Sequence, residues 1–260
     1  MTSRKFRAVR GSLISGRILF VGAHCDDIEI GCAGTAAKFQ RNGNPIAFAI
    51  ATPEPTGKKE RTRRDEAARA AAMLDLSEAG RTLFFGSFPD QELNQREKEI
   101  REWLKTVSKE FNPKTVFIHR HDDHTDHQAI HRVAIGVFQN KNIFLYYIPR
   151  PSPETPFDPN YAEDISLFIK RKVSMCKCHA SQPPDYIGAD TVRTNSHYWY
   201  LRWYGRIAPR RDGHAEAFVI RGWRTRLSGE PSSNDTSRVA TVRYGLRVVK
   251  KPDGSLHWKS

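Results

Sequence analysis

Four cysteines (Cys25, Cys32, Cys176 and Cys178) in 260 residues are too few for a disulfide framework. Cys176-Lys177-Cys178 is also tighter than the C-x-x-C spacing of a redox or zinc pair, so these thiols read as structural. No run of about 18 apolar residues occurs, which excludes a hydrophobic membrane-spanning helix. The stretch Met1 to Arg17 is basic but lacks the apolar segment of a secretory signal, so a cytoplasmic protein is the expectation. Internal repeats and low-complexity tracts are missing as well. So is the dinucleotide loop: Gly31-Cys32-Ala33-Gly34 does not have the G-x-G-x-x-G spacing.

Acidic residues are absent from positions 1–23, which hold five basic ones. Residues 201–260 carry thirteen basic against five acidic, whereas residues 24–200 balance at twenty-four each. The net charge of +13 therefore lies at the two ends of a neutral body. Such ends aid solubility and favour anionic partners, whether phosphorylated substrates, nucleic acid or acidic lipid.

The body alternates strand and helix patterns. Apolar runs at Arg17 to Ala23, Ile46 to Ala51, Thr82 to Gly86, Thr115 to His119 and Ile143 to Ile148 read as strands. Between them, Gly31 to Asn42, Arg61 to Leu76, Arg96 to Phe111 and Asp126 to Phe138 read as helices, the first broken by Asn42-Gly43-Asn44. That alternation predicts βαβ units: an α/β fold with a mostly parallel sheet flanked by helices. Thr52 to Lys59 and Pro149 to Pro159 are loops by composition and the expected rim of a cleft. Beyond them we expect a helix over 162–178, strands over 215–220 and 239–249, and a polar link at 228–237. One domain, residues 1–220, with a smaller β-containing basic extension at 221–260, is the expected organisation.

Two clusters carry the chemistry. His24-Cys25-Asp26-Asp27 follows the first strand, and Asp122-Asp123-His124-Thr125-Asp126-His127 follows the strand at 115–119. Ligands of open α/β sheets gather at the carboxyl ends of strands, so the two clusters are expected to face one another. Two imidazoles and a carboxylate with an open position make a hydrolytic metal site, and a spare carboxylate can serve as base. Asp26 and Asp27 cannot point the same way in extended backbone, so one addresses the metal and the other its water. His124 and His127 at i, i+3, or His127 and His131 at i, i+4, share a helical face. Asp126 is expected to cap that helix and to orient an imidazole.

Ala23-His24-Cys25-Asp26-Asp27-Ile28-Glu29-Ile30-Gly31-Cys32-Ala33-Gly34-Thr35 resembles the AHPDD-x-x-x-G-x-G-G-T signature of the LmbE-like, or PIG-L-like, de-N-acetylases. Asp122 to His127 resembles that family's D-x-H-x-D-H element. Arg64-Asp65-Glu66-Ala67, Phe88-Pro89-Asp90, His179-Ala180-Ser181-Gln182 and Ala215-Glu216-Ala217-Phe218 resemble its weaker motifs, so the likeness covers about residues 17–220. The resemblance implies a Rossmann-like fold and a zinc-dependent enzyme that removes acetyl from an N-acetylated sugar. It implies His24, Asp27 and His127 as zinc ligands and Asp26 as general base. His124 would stabilise the oxyanion or protonate the amine, with Asp126 in the catalytic group and Arg64 and Asp90 as substrate contacts. Cys25 stands where the family has proline, Ile28 where many members have Glu and Ala33 where many have Gly; Cys25 is read as a packing change.

Other readings keep part of this picture. The donor set also suits Fe(II), and the substrate can be a non-sugar amide. A phosphorylated or nucleotide-linked sugar would answer the basic ends. A non-catalytic binder of anionic ligands is the remaining alternative. There Trp199, Tyr200, Trp203 and Tyr204, interleaved with Arg193, Arg202 and Arg206, would stack bases, although nucleic acid is the disfavoured partner and an aromatic core explains them equally.

Overall fold

A computed structural model describes residues 14–53, 60–149, 157–205, 210–222, 247–250 and 256–259. The rim loops, the link at 228–237 and most of the strand expected over 239–249 lie largely outside these residues. Strand β1 (Ile18–His24) leads into helix α1 (Asp27–Arg41), and β2 (Ile46–Thr52) precedes α2 (Glu60–Ala72). Next come β3 (Leu83–Phe85), a 3-10 turn at Leu93–Gln95, α3 (Glu97–Phe111), β4 (Thr115–His119), α4 (Thr125–Val137) and β5 (Asn142–Tyr146). The chain continues through β6 (Tyr161–Asp164), α5 (Ile169–Cys176), α6 (Pro184–Ile187), α7 (Ala189–Tyr204) and β7 (Ala215–Gly222). Strands β8 (Arg247–Lys250) and β9 (Leu256–Lys259) pair antiparallel as a separate two-stranded sheet.

The main sheet has seven strands in the order β3-β2-β1-β4-β5-β7-β6. The first five are parallel, and β7 and β6 continue the sheet antiparallel. β1, β2, β4 and β5 are buried along their whole length, which is why they read as unbroken apolar runs. Alternation along β1 divides its side chains between two cores. Ile18 and Phe20 pack with α1, α2 and α5, whereas Leu19, Val21 and Ala23 pack with α3 and α4. Helix α3 buries Ile100, Leu104, Val107 and Phe111, one face of a 3.6-residue repeat, and stops at Asn112 in the left-handed conformation (φ 49°).

Connections run from β1 outward to β3 on one side and then return to β4 on the other. The carboxyl ends of β1 and β4 therefore flank the point where strand order reverses, the crevice such sheets offer to ligands.

One expectation needs correction. Residues 162–164, expected to open a long helix, belong to the edge strand β6 because β7 offers them a partner; Asp164 then turns the chain by accepting from Ser166 N (2.8 Å) and Oγ (2.6 Å). The aromatic stretch at 198–204 is the end of α7. Tyr200 is buried with its hydroxyl accepting from Arg210 N (3.1 Å), and Trp199 packs edge-on against Tyr147 and Phe157, whereas Tyr198 is exposed.

Candidate metal centre

Both clusters arrive at one place. Asp27 opens α1 directly beyond β1, and its Oδ2 accepts the backbone N–H groups of Ala23 and His24 (both 2.9 Å). Those two bonds lock the strand-to-helix turn and leave Oδ1 facing His127 Nε2 at 3.4 Å. His24 Nδ1 lies 3.2 Å from His127 Nε2 and 3.6 Å from Asp27 Oδ2. All three side chains are almost wholly buried.

These separations test whether a metal fits. Zinc bonds of about 2.0–2.1 Å in tetrahedral geometry place adjacent donor atoms about 3.3 Å apart. His24 Nδ1 to His127 Nε2 at 3.2 Å and His127 Nε2 to Asp27 Oδ1 at 3.4 Å match that edge length, and one donor atom from each of the three residues lies within 4.8 Å of the others. Two neutral imidazoles and a carboxylate form a complete zinc donor set with one position left over. The residues fit the ion.

Each histidine has a carboxylate behind it. His127 Nδ1 is 2.7 Å from Asp122 Oδ2, while Asp122 Oδ1 accepts from His124 N at 2.9 Å. His24 Nε2 lies 3.1 Å from Asp90 Oδ1 and 3.3 Å from Asp126 Oδ2. Such partners fix the tautomer and ring orientation of a ligating imidazole. Asp126 also accepts from Gln91 N (2.7 Å) and Leu93 N (3.1 Å), tying the loop after β3 to the centre.

The electrostatics follow from this packing. Burial pushes against a charge on His24, but Asp27, Asp126 and Asp90 outweigh it and raise its pKa well above the usual imidazole value. His127 is likewise opposed by burial and raised to about 9 by Asp27 and Asp122. Asp27 is held well below the carboxylate range by His127 and His24 despite its burial. His119, packed on the His127 ring at 4.4 Å, goes the other way: burial and the neighbouring charge lower it to about 3.

Asp26 precedes α1 and is buried, with Oδ1 3.4 Å from Arg63 Nη2. His124 is the residue that caps α4, its Nδ1 accepting from Asp126 N at 3.2 Å; Asp126, expected as the cap, is instead a donor within the first turn. His124 stacks on His127 (4.7 Å) and meets His24 edge-on (4.8 Å), so the ring closes one wall of the centre. His131 turns away, its Nδ1 bonded to His119 O at 3.0 Å. Cys25 directs its thiol to Pro53 O (3.3 Å), and burial raises its pKa, a packing position away from the donors.

The two expected substrate contacts part company. Asp90 reaches the centre as a partner of His24. Arg64 does not reach it: the guanidinium pairs with Glu78 (2.7 Å) and lies 4.4 Å over the Phe85 ring. Its neighbour Arg63 faces Asp26 instead. Arg63 stands three residues before Glu66, and Glu66 accepts from Ser181 N (2.9 Å) and Oγ (2.6 Å), so the R-x-x-E spacing itself points to Arg63. Asp122 was visible within its motif, but its role behind His127 was not.

Residues 19–138 match the family model described as PIG-L, GlcNAc-PI de-N-acetylase. The chain is 28% identical over 171 residues to YaiS of Escherichia coli (strain K12), described as an uncharacterized deacetylase, covering 63% of this chain and 90% of that protein. It is 25% identical over 234 residues to a diacetylchitobiose deacetylase of Thermococcus kodakarensis, covering 78% and 83% respectively. The solved N,N'-diacetylchitobiose deacetylase of Pyrococcus horikoshii shares its fold, with a TM-score of 0.61 at 22% identity over 78% of this chain and 83% of the other.

Proposed function

We propose, from the match of residues 19–138 to the PIG-L family model, a metal-dependent N-deacetylase that acts on an N-acetylated sugar or glycoside. The observation that carries the proposal is the convergence of His24, Asp27 and His127 at zinc-like donor spacings, with Asp26 and His124 beside them. Zinc is the ion we assign, and Fe(II) suits the same donors. A divalent ion held there supplies Lewis acidity and an acidified water.

The remaining steps fall to side chains. Asp26, with Oδ1 held towards Arg63, would take the proton of the attacking water on Oδ2 and return it to the departing amine. His124 accepts a backbone N–H at Nδ1, so its proton sits on Nε2. That Nε2–H is thus a donor aimed at stabilising the developing oxyanion. Asp126 and Asp90 orient His24, and Asp122 orients His127.

The relatives named as diacetylchitobiose deacetylases support a carbohydrate amide as substrate. The basic surplus at both ends favours one that carries phosphate or a nucleotide. We take residues 1–220 as the catalytic unit and 221–260 as a basic extension. Among the described residues no helix is long and apolar enough to cross a membrane, and all four cysteines are free thiols, which suits a reducing cytoplasm.

The test begins with chelator-stripped protein titrated with zinc beside a His127→Ala control, followed by a screen of N-acetyl sugars for amine release. One tight equivalent that the control loses, with amine release abolished in Asp26→Asn at unchanged metal content, is the expected result. Full activity in Asp26→Asn, or tight metal in His127→Ala, would overturn the assignment.

A further inference from the structure

Helix α1 is broken where it is most deeply packed. Cys32 leaves helical geometry (φ −151°, ψ 17°) five residues after the proposed ligand Asp27. In an unbroken helix, Gly34 N–H would donate to Ile30 O and Thr35 N–H to Gly31 O. Here Gly34 N donates to Glu216 Oε1 (3.0 Å) and Thr35 N to Glu216 Oε2 (2.7 Å). Ile30 O accepts from Lys172 Nζ (2.5 Å), which also donates to Glu216 Oε1 (2.6 Å). An ion pair from β7 and α5 thus stands in for the backbone bonds of the interrupted helix.

The pair is buried, with Lys172 2% and Glu216 3% exposed, so water cannot replace it. Burial works against the charge on Lys172, but Glu216 outweighs it and keeps the ammonium protonated. Burying two charges is costly, and apolar residues in a straight helix would avoid that cost. The break divides α1 in two. Upstream lies one turn, closed by Ile30 N donating to Asp26 O (3.0 Å), which begins with Asp26 and Asp27; downstream lies the shaft that packs on the sheet. Released from the shaft's direction, the turn can aim Asp27 Oδ1 at His127.

We propose that Lys172 and Glu216 are positioning residues of the metal centre, setting the orientation of the Asp26–Gly31 turn through the helix break. The proposal rests on the metal reading of His24, Asp27 and His127. It explains why the Ala215-Glu216-Ala217-Phe218 element carries a carboxylate although it contributes nothing to the donor set.

The test uses a double variant, Lys172→Met with Glu216→Gln, which removes both charges and leaves neither unpaired. Glu216→Asp keeps the charge and shortens its reach. Lys38→Met, which removes a partner of Glu163 on the shaft, is the control. Each is measured for zinc affinity by chelator competition, for the Co(II) absorption spectrum, for cooperative unfolding, and for hydrogen exchange over residues 24–31 without metal.

The double variant should unfold cooperatively, bind zinc about tenfold or more weakly, shift the Co(II) bands and exchange faster over 24–31. Glu216→Asp should move the same readouts less, and Lys38→Met should match wild type. Wild-type zinc affinity with an unchanged Co(II) spectrum in the folded double variant would overturn the proposal; should that variant not fold, the same result in Glu216→Asp does so. If wild-type protein takes up no zinc, the metal reading itself falls. Exchange over 24–31 then decides alone: acceleration upholds the positioning role and unchanged exchange overturns it.

Discussion

Zinc uptake by this protein should release a proton and tighten steeply with pH. Two carboxylates, Asp90 and Asp126, face His24 Nε2 at 3.1 and 3.3 Å, so that nitrogen carries hydrogen. His127 Nδ1 gives its hydrogen to Asp122 at 2.7 Å, which leaves Nε2 as acceptor for His24 Nδ1 at 3.2 Å. Without metal, then, the pair holds one shared proton, and His24 is the imidazolium. Ligation needs the nitrogens that this proton occupies. Despite its burial, Asp27, Asp126 and Asp90 hold the pKa of His24 well above the usual imidazole value, so at pH 7 zinc must displace that proton. Zinc affinity should accordingly rise about tenfold per pH unit above pH 7 until that proton is lost.

The fold is linked to the same proton with the opposite sign. A histidine raised above 6.5, as His24 is, stabilises the metal-free protein fully below pH 6.5, and that contribution is lost as pH rises through its raised value. Calorimetric titration in buffers of different ionisation enthalpy reads the released proton, chelator competition reads the affinity, and thermal melts of metal-free protein read the stability. Affinity that stays flat between pH 7 and 9, with no proton released, would refute the hydrogen-bond assignment.

Asp122→Asn should weaken zinc binding about 10–100-fold while the fold persists; wild-type affinity in chelator competition would remove Asp122 from the centre. Arg63→Ala should impair turnover because Arg63 faces Asp26, whereas Arg64→Ala, on the Glu78 side, should leave kcat/KM near wild type. The reverse ranking in a steady-state assay would restore Arg64 as the cleft residue. Gly31→Ala places a Cβ 2.2 Å from the Tyr146 ring, whose hydroxyl is anchored on Val21 O (2.8 Å). Denaturant unfolding should show a loss of about 1–3 kcal/mol, and an unchanged midpoint would mean that the tyrosine yields freely.

Much of the framework was legible locally. The strands β1, β2, β4 and β5 are contiguous apolar runs because both faces of a central parallel strand are buried. Helix α3 announced itself by Ile100, Leu104, Val107 and Phe111. Strand β6 did not, since Tyr-Ala-Glu-Asp has no apolar alternation and becomes a strand only beside β7. The aromatic end of α7 was ambiguous for a similar reason. Periodicity does not say which rings a distant loop covers, and Phe157 and Tyr147 are what cover Trp199.

The sequence by itself determined the α/β alternation and the residue types of the two clusters, because strand burial and turn spacing are local properties. His24 with Asp27, and His124 with His127, are each written within a few residues. Only the tertiary structure decided which of them meet, since β1 and β4 become neighbours through a crossover that brings His24 within 3.2 Å of His127. It also decided between Arg63 and Arg64, because one residue on a helix is a turn of about 100°. Asp90 and Asp126 behind His24, and Glu216 inside the break of α1, come from distant segments. Their roles depend on distances between elements, which no local pattern encodes.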